Sequence, residues 1–262
     1  MNKSHIARKR FGQNFLTDST IIENIINAIH PQSSDNLIEI GPGLGALTEK
    51  ILAKNCSLTA IEIDRDLATQ LSQHFQQNHH FKLYQADALT FYFATLSTNK
   101  KKMRVFGNLP YNISTPLQFH LFKFFDFIHD MHFMLQKEVV DRMAAKPGNK
   151  TYGRLSVMTQ NHCQAIPLFN IPPEAFQPKP KVQSTFVRLI PYTTKPYRVK
   201  NYDLFSEIVR LAFNQRRKTI ANALKSVISI KQWHDISIDP KARAEQLSIE
   251  QFVELTRHVL LL

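Results

Sequence analysis

Leu37-Ile38-Glu39-Ile40-Gly41-Pro42-Gly43-Leu44-Gly45 is the stretch that decides the fold. A short apolar run reaches three glycines spaced two apart, and Ala46 to Lys54 then reads as helix. Strand, glycine turn and helix are the opening of a βαβ unit. Glycine lets the chain turn sharply and lets a ligand approach the backbone. The turn and the helix N-terminus are expected to set backbone N–H groups against that ligand. Gly41-x-Gly43-x-x-Ala46 also fits a dinucleotide-binding loop, with Glu62 available for a ribose. The loop therefore indicates a nucleotide-like cofactor without saying which. Pro42 lacks an N–H and so disfavours a pyrophosphate.

The same rhythm continues outward. Leu58 to Ile63 is a second strand, running into Glu62-Ile63-Asp64, and Asp66 to Phe75 is a helix. Phe81 to Ala86 is a third strand ending at Asp87, and Met103 to Phe106 a fourth. Short apolar strands separated by helical intervals predict a parallel sheet with helices on both faces. Glu62, Asp87 and Asn108 then fall at C-terminal strand ends, where open α/β sheets bind ligands. Upstream, Ile21, Ile22, Ile25, Ile26 and Ile29 recur at helical spacing, capped by Thr17, Asp18 or Ser19 and closed by Pro31. Downstream, His132–Gln136 reads as strand, and 137–144 and 152–162 as helices. Residues 165–171 and 184–190 read as an antiparallel pair joined by a proline-rich connection. Beyond Pro191–Pro196 only helices are expected, at 202–213, 219–228 and 249–261. We expect a cofactor-binding domain over 1–194 and a small helical domain over 195–262.

The fourth strand stops at Gly107-Asn108-Leu109-Pro110-Tyr111. Read alone, this is a strand-ending turn. Proline keeps the residue before it extended, so the carbonyls of Asn108 and Leu109 are held off any helix ladder. The Asn108 amide adds an acceptor and two donors, and Tyr111 adds a flat ring. Acceptors beside a ring suit a planar base that bears an exocyclic amine. Asp87 suits contact with an adenine amine, or the N-cap of a helix beginning at Ala88.

The 262 residues carry 33 Lys and Arg against 21 Asp and Glu, a formal charge of +12. That favours an anionic partner, and without a dominant basic amphipathic helix nucleic acid leads over membrane. The basic clusters are Arg8, Lys9 and Arg10, then 100–102, then Arg216, Arg217 and Lys218. No apolar run approaches bilayer length, and the basic N-terminus precedes no apolar signal region, so a cytoplasmic protein is expected. Two separated cysteines, Cys56 and Cys163, imply neither a disulfide framework nor a metal site.

Gly-Gln-Asn-Phe-Leu (12–16), Glu-Ile-Gly-Pro-Gly-Leu-Gly (39–45), Glu-Ile-Asp (62–64), Ala-Asp-Ala (86–88) and Asn-Leu-Pro-Tyr (108–111) follow in order. In that order and spacing the chain resembles the ribosomal RNA adenine dimethyltransferases. Phe176-x-Pro-x-Pro-x-Val-x-Ser184-x-x-x-Arg188 and Asn214 to Thr219 resemble the type acting on the small subunit more than the resistance type acting on large-subunit RNA. The resemblance implies a Rossmann-like α/β class I methyltransferase domain with a small C-terminal helical domain, and S-adenosyl-L-methionine as cofactor. It implies that Asn14 and Leu16 close over the cofactor, and that Gly41 meets its methionine portion. Glu62 would meet the ribose hydroxyls and Asp87 the adenine amine, with Gly43, Ile63 and Ala88 beside them. Asn108 would touch both cofactor and target base, with Leu109, Pro110 and Tyr111 completing the catalytic group. The implied partner is small-subunit ribosomal RNA in an assembling 30S particle, bound by a monomer without metal or membrane.

Overall fold

The computed structural model describes residues 13–97 and 101–260. Its centre is a seven-stranded sheet whose middle strands are hydrophobic on both faces, as parallel strands covered by helices must be.

The chain enters through β1 (Phe15–Leu16) and α1 (Ser19–Ile29). Of the three possible caps, Asp18 is used, accepting from the Ile21 N–H at 3.0 Å. Ile22, Ile25, Ile26 and Ile29 form the buried stripe that their spacing predicts. Then come β2 (Asn36–Ile40), α2 (Ala46–Leu52), β3 (Leu58–Glu62), α3 (Arg65–His74) and β4 (Phe81–Gln85). β5 (Met103–Asn108), α4 (Ser114–Phe122) and β6 (Ile128–Gln136) follow. β5 therefore runs two residues further than its apolar run, through Gly107 to Asn108, which pairs in register with Met134 of β6. After α5 (Lys137–Ala144) and α6 (Arg154–His162) come β7 (Cys163–Ile171), β8 (Phe176–Gln177) and β9 (Ser184–Pro191).

The sheet order is β4-β3-β2-β5-β6-β9-β7. β2 to β6 pair in parallel, and β9 runs antiparallel to β6. The chain steps from β2 outward to β4, then crosses back to β5 on the other side of β2. That reversal opens a crevice between β2 and β5 at their C-terminal ends.

A buried network ties the opposite ends of these strands. The Arg104 guanidinium donates to both oxygens of Asp130 at 2.9 and 3.1 Å, to Asp35 at 2.7 Å and to the Ile29 carbonyl at 2.7 Å. Arg188 adds a bond to Asp130 at 2.8 Å. Burial is the largest single influence on the Asp130 pKa and raises it, but the Arg104 hydrogen bonds together with the charges of the surrounding cations outweigh it and hold the carboxyl below its ordinary value.

The chain divides into two compact units, one of Met1–Lys137 with Ile166–Pro191, the other of Glu138–Ala165 with Tyr192–Leu262. The division differs from the boundary expected after residue 194, because 138–165 groups with the C-terminal helices. In that second unit α7 (Tyr202–Asn214), α8 (Ile220–Ala223) and α9 (Ile249–Leu260) bury Phe205, Ile208, Val209, Phe252 and Val253. The Gly148 N–H donates to the Glu245 carbonyl at 2.7 Å, and the buried Tyr152 ring packs on Phe213. These long-range contacts leave no mark on local periodicity. The helix expected over 219–228 shortens at its C-terminal end to α8, while at its start the Ile220 and Ala221 N–H groups bond to the Ala242 and Pro240 carbonyls. Past it the chain tightens into a turn, the Val227 and Ile228 N–H groups both bonding to the Leu224 carbonyl.

Candidate active site

A cavity of about 250 Å³ lies at the β2/β5 crevice, within the first unit. The glycine loop, the ends of β3 and β4, residues 108–113 and the arm residues 13–16 line it. Every cofactor and catalytic residue expected from the sequence is on its wall: Asn14, Leu16, Gly41, Gly43, Glu62, Ile63, Asp87, Ala88, Asn108, Leu109, Pro110 and Tyr111.

The loop is built of left-handed glycines, with φ of 66° at Gly41, 61° at Gly43 and 87° at Gly45. A side chain at Gly45 would press on Leu71 at 3.0 Å, and one at Gly43 on the Phe15 ring at 3.1 Å. At Gly41 it would meet nothing closer than the Asn108 carbonyl at 3.9 Å, so this position opens on the cavity. The N–H groups of the three loop glycines are, however, bonded within the protein. Gly41 donates to the Ile61 carbonyl at 2.9 Å, Gly45 to the Pro42 carbonyl at 2.9 Å and Gly43 to the Glu62 carboxylate at 3.2 Å. With Pro42 having none, little is left to cradle a pyrophosphate. The dinucleotide alternative loses its main support here.

Glu62 is 4% exposed, and its second oxygen accepts from the Asp64 N–H at 2.9 Å. Two backbone donors hold the carboxylate rigidly, and each oxygen keeps a lone pair for a hydroxyl. Burial raises its pKa against those bonds. Asp87 accepts from the Leu89 N–H at 2.8 Å through Oδ1, so it caps a tight turn and not a helix. Leu44 and Ile63 are 53% and 46% exposed, unusual for large apolar side chains, and both face the cavity. Carboxylates for hydroxyls and an amine, apolar walls and an open glycine fit an adenosine with a small polar tail.

Glu39 lies deeper, 2% exposed, and accepts from the Thr48 hydroxyl at 2.6 Å. Burial, despite that hydrogen bond and with the nearby Glu62 charge adding to it, pushes its pKa up to about 8. At neutral pH it is a carboxylic acid and no base.

Gly107 does not stand out in the sequence as a site residue, yet the site depends on it. A Cβ there would lie 2.3 Å from the Ile40 carbonyl oxygen. Only glycine lets β5 run this close to β2 and bring Asn108 beside Gly41. Its one signal is a glycine breaking a strongly apolar run. The Asn108 side-chain nitrogen donates to the Asn14 carbonyl at 2.7 Å. The Pro110 carbonyl accepts from the Ile113 N–H at 3.1 Å, closing the turn. With the Pro110 carbonyl engaged in this way, the Leu109 carbonyl is the better placed of the two as an acceptor for a base. The Tyr111 hydroxyl bonds to the buried Ser184 at 2.7 Å, which fixes the ring by its far end.

The arm is held over this wall. β1 pairs antiparallel with β8, and the Thr17 N–H donates to the Ala175 carbonyl at 2.9 Å. Gln13 reaches Asp64 at 3.3 Å. The proline-rich connection is therefore an ordered anchor for the arm. Gln13, Phe15, Thr48 and Ser184 join the site only through these tertiary contacts, although Gln13, Phe15 and Ser184 lie inside the quoted motifs.

A model of the ribosomal RNA adenine dimethylase family matches residues 4–259. The chain belongs to this family. Similar sequences include a ribosomal RNA small subunit methyltransferase A of Psychromonas ingrahamii, 54% identical over 255 residues and covering 97% of this chain and 94% of the relative. One of Proteus mirabilis with the same name is 54% identical over 256 residues, with the same coverage. Among solved structures, a dimethyladenosine transferase of Plasmodium falciparum is 27% identical with a TM-score of 0.77, covering 92% of this chain and 95% of that one. A 23S rRNA methyltransferase, ErmE, shares the fold at 22% identity and a TM-score of 0.71, over 94% and 99% of the two chains. This dimethylase is thus an S-adenosylmethionine-dependent methyltransferase with a Rossmann-like α/β fold.

The dimethylase's expected RNA residues divide. Arg8, Lys9 and Arg10 lie outside the described residues. Arg216 is exposed and donates to the Lys150 carbonyl at 2.7 Å, the Tyr152 carbonyl at 3.3 Å and Glu245 at 2.8 Å, all within the second unit. Arg217 and Lys218 are exposed. Among the described residues no cluster of His, Cys, Asp or Glu is placed to hold a metal, and no helix is long and apolar enough to cross a membrane.

Proposed function

We propose that this dimethylase transfers methyl groups from S-adenosylmethionine to N6 of two adjacent adenosines in the 3′-terminal hairpin of small-subunit (16S) ribosomal RNA. The product is N6,N6-dimethyladenosine, made in the cytoplasm on an assembling 30S particle by a monomer. The observation that carries this reading is Asn108 at the end of β5, beside the cavity, with one amide end bound to Asn14 and Leu109 and Tyr111 next in line.

Glu62 would hold the ribose, Asp87 the adenine amine, Leu44 and Ile63 the faces of that ring, and Gly41 the methionine portion. S-adenosylmethionine supplies a methyl already activated by the sulfonium charge. What the protein must do is position a poor nucleophile, because the N6 lone pair of adenine is delocalised into its ring. The Asn108 side-chain oxygen and the Leu109 carbonyl accept the two amine hydrogens and favour a pyramidal nitrogen. Tyr111 stacks on the flipped base. Orientation of this kind contributes about 7–11 kcal/mol. No residue on the wall is needed as a general base, and Glu39 is protonated at neutral pH.

The test is methyl transfer from labelled cofactor to small-subunit particles that lack the modification, with large-subunit RNA as control. Label appearing in the large-subunit RNA alone would overturn the substrate. Asn108→Ala should abolish transfer while leaving the fold intact, and near-normal methylation by that variant would sink the mechanism.

A further inference from the structure

The Asn108 amide has two ends, and a target amine can be held by only one of them. The oxygen accepts N–H bonds, whereas the nitrogen would set donor against donor. Nothing in the side chain's own shape selects between the two orientations, which differ by a half-turn about one soft torsion. The selection comes from outside. The Asn108 nitrogen lies 2.7 Å from the backbone oxygen of Asn14, and a carbonyl can only accept. The amide is therefore held with its oxygen at the other end.

The Asn14 carbonyl is placed by the arm and not by the sheet. Phe15 and Leu16 pair with Gln177 and Phe176, the Thr17 N–H bonds to Ala175, and Gln13 reaches Asp64. Phe15 also rests on the glycine loop at Gly43. We propose that the docked arm is a positioning device for transfer. Its Asn14 backbone carbonyl orients the Asn108 amide so that oxygen meets the target amine, and undocking the arm disables transfer even when cofactor and RNA are bound. This rests on the role given to Asn108 above. Because the group is a main-chain carbonyl, the dependence is on where the arm lies and not on the Asn14 side chain.

Three variants of the full chain separate the possibilities. Asn108→Asp keeps oxygen acceptors but cannot donate to Asn14. Asn108→Ala loses both functions. Thr17→Pro leaves Asn108 intact and removes the N–H that pins the arm to Ala175. Turnover is measured at saturating S-adenosylmethionine and small-subunit particles, and amide hydrogen exchange is followed at residues 15–17. We expect Asn108→Asp to lose about 100-fold or more in kcat, approaching the complete loss expected of Asn108→Ala, with faster exchange in the arm. Thr17→Pro is expected to loosen the arm similarly and to lower kcat by about tenfold or more. Near-wild-type turnover by Asn108→Asp overturns the proposal and leaves the acceptor role of Asn108 standing. So does a loosened arm with unchanged kcat in Thr17→Pro, or an inactive Asn108→Asp whose arm is still fully protected. Full turnover by Asn108→Ala overturns the role of Asn108 itself, and the proposal with it.

Discussion

One absent atom sets the geometry of the site and one proton sets part of its stability. The absent atom is the Cβ of Gly107, since the Ile40 carbonyl occupies the space 2.3 Å from where it would be. Gly107→Ala must push β5 from β2, and forcing backbone apart in this way costs about 1–3 kcal/mol. It should also displace Asn108, and a misplacement near 1 Å lowers kcat by about 100-fold. Melting curves and initial rates on the same preparation check both effects, and an unshifted melting temperature would contradict the close approach. The proton is the one on Glu39. Its folded pKa, about 8, stands above its ordinary value of 4.5. The native state then holds a proton that the unfolded chain releases, so this group's contribution to stability is lost as pH rises from about 4.5 to 8. Glu39→Gln removes the titration and can still accept from Thr48. Its stability relative to the parent protein should therefore climb over that interval in urea denaturation at stepped pH. Parallel profiles would show that Glu39 titrates normally.

At the scale of elements, the strand ends are tied on both sides of the sheet by different means. At the C-terminal ends, the arm and the Tyr111–Ser184 bond hold 108–111 in place. At the N-terminal ends, Arg104 of β5 bridges Asp130 of β6, Asp35 before β2 and the last carbonyl of α1. Asp130 is fully buried, so removing the cation leaves a charge with only Arg188 against it. Arg104→Met should cost about 3–5 kcal/mol for that reason. The loss should shrink in acid, because a depressed carboxyl contributes above its unfolded pKa and its contribution vanishes as pH falls through the folded one. A loss below about 1 kcal/mol, the range of an exposed ion pair, would mean the network is solvated.

On the scale of the whole molecule, the +12 charge sets how it meets RNA, and internal hydrogen bonds distinguish one cation from another. All three of Arg216, Arg217 and Lys218 are exposed, but Arg216 alone among them is bonded to Lys150, Tyr152 and Glu245. Reversing Arg217 and Lys218 to glutamate should weaken binding to small-subunit RNA. It should also flatten the salt dependence by about one unit of slope for each phosphate that is no longer neutralised. Arg216→Glu should instead lower the melting temperature. Filter binding across a salt series distinguishes them, and an unchanged slope in the double reversal would take those two residues out of the footprint.

The sequence by itself determined the parallel βαβ order, the glycine loop and the residues at each strand end. These rest on local periodicity and on backbone preferences that neighbours in sequence can reveal. It named twelve residues of the cavity wall because each of those sits at a strand end or in a short motif. It could not reveal that the three loop glycines' N–H groups are used within the protein, that 138–165 groups with the C-terminal helices, or that Arg216 bonds to Lys150, Tyr152 and Glu245. Nor could it show that Asn14 bonds to Asn108 across 94 residues of chain. Those are pairings between distant segments, and only the folded chain decides which donor meets which acceptor.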